Sequence, residues 1–251
     1  MRTLASPVEG SEVRVEPTDS PGITINGIPA GLASVCKADI RVDLAAGGRR
    51  AFVVEHVLGP LGLHGVTAAA VTGSSTEWEF ARPEHRFCYS TDLGPSAVVG
   101  HPDGLPNPAL LEALGDAAVL EEGPTTRTTV TDPVRCATNG GRIRLEPRDY
   151  GAGVRVEATF GDATVTAEID RGGDTDPALL ERIAGATTPY LSPTDEEAAT
   201  HALADLVSDL VVLGGFDDVA VTVDLGDAYH ALTVGVARKA HDGSLVTDRE
   251  G

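Results

Sequence analysis

A polar stripe on one well-bounded helix constrains this chain more than any other feature of its sequence. The helix is predicted to begin after Thr194, which forms a capping box with Glu197 three residues further on. Gly214 and Gly215 follow the last apolar residues and are typical of a helix end. These signals predict a helix over the stretch "TDEEAATHALADLVSDLVVL". Because both ends are defined, the side chains that share a face of this helix can be assigned.

His201, Asp205 and Asp209 recur at every fourth position of this helix, with Ser208 beside them, so they fall on one face. The opposite face is apolar and consists of Leu203, Leu206, Val207 and Leu210. Two interpretations fit this pattern. The polar face can be the solvent side of an amphipathic helix, or it can be a metal site, because His and Asp one turn apart can bind the same ion. The helix alone favours the solvent side.

The composition argues against several classes of partner and site. The 251 residues carry a net charge of −19, which argues against nucleic acid or an anionic membrane surface as the main partner. No segment approaches the roughly 18 consecutive apolar residues of a membrane-spanning helix, and the start lacks the apolar run of a signal peptide. We therefore expect a soluble, cytoplasmic protein. Cys36, Cys88 and Cys136 lack C-x-x-C spacing, which indicates reduced packing residues.

The order of predicted elements favours an α+β protein with two similar domains. Each domain is expected to be a β-sheet with helices packed on one face, with an active-site cleft between the two domains. Asn107 as N-cap and Pro108 at the first helical position predict a helix. A linker rich in Gly, Pro and Thr follows at residues 123–133. We place the domain boundary there, which gives domains at 1–123 and 124–251.

The second predicted domain contains the clearer strand signals. The stretches "GRIRLEP", "GVRVEATF" and "ATVTAEID" alternate between apolar and polar residues, as strands with one buried face do. After the stretch "DPALLERIAGA", predicted as a helix, and the helix with the polar stripe, residues 219–236 are predicted to form a final pair of strands. His230 then opens the second strand of that pair.

A metal site on the polar helix needs a further ligand, because a hydrolytic zinc site usually has three protein ligands and one open position. The best candidates are Glu55 and His56, which interrupt the otherwise almost entirely apolar run "FVVEHVLGPLGL". A lone histidine in such a run is most often a core residue, but a buried carboxylate beside it needs a cation or a function. His230 is ambiguous on spacing alone. Surface positions are expected for the remaining histidines, His64, His85, His101 and His241.

Several catalytic motifs are missing from the sequence. It has no G-x-S-x-G elbow, no G-x-x-x-x-G-K-[ST] phosphate loop, no H-E-x-x-H and no G-x-G-x-x-G that opens a helix. These absences argue against serine hydrolases, nucleoside triphosphatases, thermolysin-like proteases and dinucleotide oxidoreductases.

Several short blocks resemble, in the same order, the zinc-dependent UDP-3-O-acyl-N-acetylglucosamine deacetylases of lipid A synthesis. "VVEHVLGPLGLHGV" resembles their Glu-His-Leu segment, and "HALADLVSDLVVLGG" is similar to their H-x-x-x-D helix. "IAGATTPYL" resembles the segment with their oxyanion-hole threonine, and "GDAYHALTV" resembles the strand with their late catalytic histidine. "SEVRVEPTDSPGITI" resembles their early strand-turn-strand. Together the blocks spread over most of the chain.

The resemblance implies a metal site and a set of catalytic residues. It implies that His56, His201 and Asp205 bind Zn²⁺, with Fe²⁺ as the alternative ion, since both ions accept imidazole and carboxylate ligands. The implied catalytic residues are Glu55 as general base, Thr188 as a stabiliser of the oxyanion, His230 as the acid that protonates the departing amine, and Asp209 as its electrostatic partner.

The chain departs from the family in the parts that recognise substrate. Only residues 189–200 separate the threonine segment from the H-x-x-x-D helix, where the family carries a long hydrophobic insertion that forms the passage for a fatty acyl chain. Ala202 stands where the family has a lysine. We therefore expect a metal-dependent N-deacetylase that acts on a smaller, unacylated N-acetylated sugar or nucleoside-like substrate. The alternatives are a metal-dependent C–N hydrolase or cyclase in specialised metabolite biosynthesis, and a non-catalytic binding homologue.

Overall fold

The computed structural model describes residues 1–10, 13–73, 96–98, 105–121, 126–138, 140–170, 175–189, 191–226 and 229–250. Across these ranges the chain is a mixed α+β protein with several β-sheets and five α-helices, which confirms the predicted α+β class. None of the helices in the described ranges combines the length and the apolar composition that crossing a bilayer requires.

The strands up to residue 121 form two sheets. The larger sheet has the order β11-β1-β9-β3-β2, with β4 also paired to β9 and β5 paired to β4. Its strands are β1 (Arg2–Leu4), β2 (Val8–Gly10), β3 (Val13–Glu16), β4 (Gly22–Ile25), β5 (Ile28–Pro29), β9 (Ala68–Gly73) and β11 (Val119–Glu121). The smaller sheet has the order β10-β8-β7-β6. Its strands are β6 (Val35–Ala38), β7 (Val42–Ala46), β8 (Arg49–Phe52) and β10 (Ser96–Val98).

The strands after residue 125 form two further sheets. The five-stranded sheet has the order β13-β14-β17-β15-β16, in which β15 and β17 are parallel and the other neighbours antiparallel. Its strands are β13 (Val134–Thr138), β14 (Gly141–Pro147), β15 (Val154–Phe160), β16 (Ala163–Ile169) and β17 (Val219–Asp224). The two-stranded sheet pairs β12 (Thr126–Val130) with β18 (Val246–Glu250). The three alternating stretches predicted as strands are confirmed as β14, β15 and β16, which bury every second residue along much of their length.

The helices lie between these strands, and two of them bear out predicted start signals. They are α1 (Glu55–Leu63), α2 (Pro108–Gly115), α3 (Pro177–Ala184), α4 (Asp195–Leu206) and α5 (Tyr229–Asp242). The polar helix α4 continues directly into a π-helical segment over Val207–Leu213 and ends at Gly214. Asn107 caps α2 by accepting a hydrogen bond from the amide of Leu110. Thr194 caps α4 by accepting one from the amide of Glu197.

The prediction of a strand pair over residues 219–236 is wrong in its second half. Val219–Asp224 is strand β17, but the residues from Tyr229 onward form helix α5. Leu232, Val236 and Ala240 are one helical turn apart and all buried, so the apolar pattern is satisfied by a period of 3.6 residues. The short alternation in "YHALTV" fits both periods, and the longer stretch decides in favour of the helix.

The predicted linker is also partly structured. Thr126–Val130, inside the range predicted as linker, is strand β12, and Thr129 and Val130 are buried. β-Branched residues dominate this run and favour extended backbone, which outweighs the turn-forming residues around it. Residues 122–125 lie outside the described ranges. The division into domains at 1–123 and 124–251 stays a prediction.

A sharp turn at Val53 places the two polar residues of the run "FVVEHVLGPLGL". Val53 has φ of 57°, in the left-handed region that β-branched residues rarely adopt. The chain leaves strand β8, turns there and enters α1, so Glu55 and His56 become the first two helical residues. All nine residues of α1 are buried.

Helix α1 lies against α4 and its π-helical continuation at very short range. A Cβ atom on Gly59 would lie 2.6 Å from the carbonyl oxygen of Ala204, and one on Gly62 would lie 2.5 Å from Cγ1 of Val207. These glycines therefore let the two helix backbones come closer than any side chain would allow. The contact brings the start of α1 next to the polar face of α4.

We expect Gly59→Ala to lower the free energy of unfolding by about 1–3 kcal/mol, because the new methyl group meets backbone that cannot move aside. Helix propensity alone would raise stability by about 1 kcal/mol. Thermal or urea unfolding measures the difference. The matched control is Gly31→Ala, where an added Cβ meets nothing within 4 Å and φ is −161°. A stabilised Gly59→Ala protein would contradict the close helix contact.

Candidate metal centre

The polar face of α4 is buried, so its interpretation as a solvent face is wrong. His201 and Asp209 are 0% exposed and Asp205 is 1% exposed. Helices α1 and α5 both contact α4 and its π-helical continuation. Burying two carboxylates on one face is expensive unless each has a cationic or hydrogen-bonding partner.

The three predicted metal ligands lie together. One ligand atom each from His56, His201 and Asp205 can be chosen so that all three lie within 4.8 Å of one another, and all three residues are buried. The rings of His56 and His201 meet edge to face, with centroids 5.2 Å apart. Helix α1 supplies the first ligand and α4 supplies the other two.

A backbone carbonyl fixes the orientation of His201. Its Nδ1 lies 2.9 Å from the carbonyl oxygen of Ala186, which can only accept, so Nδ1 carries the proton. The other ring nitrogen, Nε2, then carries a lone pair and lies 3.3 Å from Oδ2 of Asp205. This is how histidine ligands of metals are held in most proteins.

The donor set fits Zn²⁺ or Fe²⁺. Within the described part of the chain, the buried Nε2 of His201 and Oδ1 of Asp205 have no hydrogen-bond partner, and buried polar atoms of this kind call for a bound cation or a water. Two ligands bound tetrahedrally at about 2.0–2.1 Å lie about 3.3–3.4 Å apart. The observed 3.3 Å between Nε2 and Oδ2 matches that separation.

Glu55 lies beside this cluster as a buried carboxyl group. It is 2% exposed, and its Oε2 accepts a hydrogen bond from the amide of Val42 at 3.0 Å. Burial raises the pKa of Glu55 to about 8, against the opposing effect of the His230 cation. Such a carboxyl group is mostly protonated at neutral pH, and a cation bound at the neighbouring cluster would lower its pKa and favour the carboxylate that a general base requires.

His230 and Asp209 form a buried pair on the other side of the cluster. The Nδ1 of His230 donates to Oδ2 of Asp209 at 2.7 Å, and the same oxygen accepts from Oγ1 of Thr233 at 2.5 Å. Burial alone would lower the pKa of His230, but the charge and hydrogen bond of Asp209 outweigh it and raise the pKa to about 10. Asp209 therefore favours the imidazolium form of His230, whose Nε2 lies 3.7 Å from Oδ2 of Asp205.

Tyr229 and Thr233 belong to the site but were missed by the sequence analysis. The hydroxyl of Tyr229 donates to Oδ2 of Asp205, and its ring lies 4.6 Å from that of His230. The error followed from the predicted strand, in which Tyr229 and His230 point to opposite faces. On a helix, Tyr229 and Thr233 are one turn apart and share a face. That i, i+4 spacing was the sequence signal that could have assigned both residues to the site of His230.

Thr188 lies in the segment next to the cluster, but the hydrogen bonds recorded for it run through its backbone. Its carbonyl oxygen accepts from the amides of Leu191 and Ser192, which forms a turn, and its side chain is half-buried. The nearest link to the ligands is Ala186, whose carbonyl holds His201. The carboxylate of Glu197, predicted to complete the capping box, instead accepts from the amide and hydroxyl of Thr187.

The remaining histidines and cysteines lie away from the cluster or outside the described ranges. The surface position predicted for His64 is wrong: the residue is 8% exposed at the end of α1, and burial lowers its pKa. His241 is exposed, as predicted, with Nε2 2.8 Å from the carbonyl of Gly214. Cys36 and Cys136 are free thiols, but Cys36 is exposed, so the prediction that it is a packing residue is wrong. The other residues with predictions, His85, His101 and Cys88, lie outside the described ranges.

Comparison with known protein families and with curated proteins finds no match to this chain. The assignment of a function therefore depends on the residues of the site and on the motifs quoted from the sequence. Fold class alone does not assign a function, because one fold supports many chemistries.

We expect Asp209→Asn to lower the pKa of His230 below the value of about 10, because the substitution removes the negative charge that offsets burial. NMR titration of the imidazole in metal-free protein measures this pKa. Asp149→Asn removes an exposed carboxylate and is the control. If the pKa of His230 is the same in both variants, Asp209 is not its main partner.

Proposed function

We propose that this chain is a metal-dependent N-deacetylase related in fold and chemistry to the zinc-dependent UDP-3-O-acyl-N-acetylglucosamine deacetylases. The observation that carries the proposal is the convergence of His56, His201 and Asp205 from two helices into one buried cluster. Glu55 and His230, the predicted base and acid, lie beside that same cluster, since their charges act on each other and on Asp205.

The residues of the chain divide the work of amide hydrolysis. A Zn²⁺ or Fe²⁺ ion held by His56, His201 and Asp205 would polarise the amide carbonyl and lower the pKa of water. Glu55 takes a proton from the attacking water, and the imidazolium of His230 gives a proton to the departing amine nitrogen. Asp209 keeps His230 protonated until then. Thr188 is proposed to stabilise the negative oxygen that forms on the attacked carbonyl.

The finer architecture is part of the same proposal. We propose two related α+β domains that face each other across the active-site cleft. Two observations support this arrangement. Each sheet draws its strands from one side of the predicted boundary, and helix α1 from the first side contacts helix α4 from the second side. The ligands then come from both domains, as His56 lies in the first and His201 in the second.

A small substrate is the second element of the proposal. Residues 189–200 include the turn after Thr188 and the first turns of α4, which leaves no length for a passage around an acyl chain. Ala202 is fully buried in the hydrophobic core, so this position offers no cation to a substrate. We therefore propose an unacylated N-acetylated sugar or a nucleoside-like N-acetylated compound.

Metal analysis and acetate release test the proposal. We expect stoichiometric zinc or iron, and release of acetate one for one with free amine from a panel that contains N-acetylglucosamine and its UDP derivative. His201→Ala should lose the metal because a ligand is removed. Glu55→Gln should keep the metal and lower kcat by about 10²–10⁴-fold, the usual contribution of a general base. His241→Ala and Glu181→Gln, at exposed positions, are the matched controls.

The possible outcomes separate the proposed function from its rivals. Pure protein with no stoichiometric metal, and with properties unaltered by His201→Ala, would contradict the metal site. Turnover without acetate would indicate another C–N hydrolysis or a cyclisation at the same groups. Ligand binding without turnover, undiminished by Glu55→Gln, would favour a non-catalytic binding homologue.

A further inference from the structure

We propose that Tyr229 is a positioning residue that holds the carboxylate of Asp205 in the orientation required for metal binding. The inference rests on the proposed function, because it takes Asp205 to be a metal ligand. The contacts of one oxygen atom, Oδ2 of Asp205, carry it.

Three groups converge on this oxygen. The hydroxyl of Tyr229 donates a hydrogen bond to it, Nε2 of His201 lies 3.3 Å away, and Nε2 of His230 lies 3.7 Å away. A carboxylate oxygen has two lone pairs. The phenol uses one, which leaves the second lone pair of Oδ2 and the unpartnered Oδ1 for the ion near His201. A hydrogen bond at this oxygen also limits rotation of the carboxylate about its Cβ–Cγ bond.

The hydrogen bond from Tyr229 also keeps Asp205 and Asp209 with different partners. Without it, Asp205 would be free to turn toward the ring of His230, whose Nε2 lies 3.7 Å from Oδ2. His230 already has a partner in Asp209, at 2.7 Å. Tyr229 therefore keeps Asp205 available for the metal while Asp209 remains with the acid.

Burial and a ring contact fix the position of Tyr229 in the structure. The residue is 6% exposed, and its ring lies against that of His230 with 4.6 Å between centroids and 35° between planes. Both residues belong to the first turn of α5. One helix end therefore positions the proposed acid and the hydrogen bond to a proposed ligand, so a shift of α5 would change both together.

The test is Tyr229→Phe, which removes one hydroxyl and keeps the ring. We expect the Kd for Zn²⁺, measured by competition with a chelator, to rise about 10–100-fold, the usual effect of losing a group that orients a ligand. We also expect the visible spectrum of the Co²⁺-loaded variant to differ from that of the wild type, because a released carboxylate changes the coordination. The melting temperature of the metal-free protein serves as the check on folding.

Tyr150→Phe is the matched control, since Tyr150 is exposed and its ring lies by Arg127. Its Zn²⁺ affinity and Co²⁺ spectrum should equal those of the wild type. If Tyr229→Phe behaves in the same way, the inference is overturned while the proposed function stands. A wild-type protein that binds neither ion overturns the proposed function instead.

A measurement on the wild-type protein covers the case in which Tyr229→Phe fails to fold. The chain has four tyrosines, so labelling the ring carbon that bears the hydroxyl gives few resonances. We expect Zn²⁺ to shift one of them strongly, because the phenol and the ion would share the carboxylate of Asp205. The same shifted resonance should also be present in Tyr150→Phe, because that variant keeps Tyr229. No shifted resonance on Zn²⁺ binding would overturn the inference.

Discussion

The contact between α1 and α4 is the constraint on which the site depends. Gly59 and Gly62 bring the two backbones so close that His56, one turn earlier, can reach His201. The two hydrophobic clusters of the protein lie behind these helices, one packed mainly by the residues before the predicted boundary and the other by those after it. The same contact therefore joins the two cores and brings the ligands together. A wider spacing would preserve both cores and lose the site.

Charge balance explains why so many polar groups can be buried at one place. Three carboxylates and three histidines lie at or beside the contact, and each carboxylate has a different kind of partner. Glu55 accepts from a backbone amide, Asp209 from His230 and Thr233, and Asp205 from Tyr229. A cation beside Asp205 would supply the charge that the neighbouring hydrogen bonds do not. Strongly shifted pKa values are common at catalytic sites, and those of Glu55 and His230 belong to the support for the proposed function.

The sequence predicted a secondary-structure element correctly where its pattern extended over many residues, and failed where the pattern was short. Helix α4 was found because Thr194 and the two glycines mark its ends, and its polar residues follow one period over three turns. The alternation that suggested a strand at His230 covers too few residues to exclude a helix, and the sequence after it decides. His64 was placed at the surface because a polar residue next to a turn is usually exposed, whereas the helix end there is packed against α2. Contacts between distant segments, such as Tyr229 with Asp205, leave no local signal.

The separation of the ligands along the chain has a consequence for how the protein matures during synthesis. His56 emerges from the ribosome long before His201, and the strands that hold α4 in place come from both sides of it. The proposed ligands can therefore be held together only after the strand that follows α4 has been made. Small zinc domains use the ion to drive their own folding. Here α1 and α4 already meet through close glycine contacts and two hydrophobic clusters, so a cation at the proposed site would add to a fold that side-chain packing already holds.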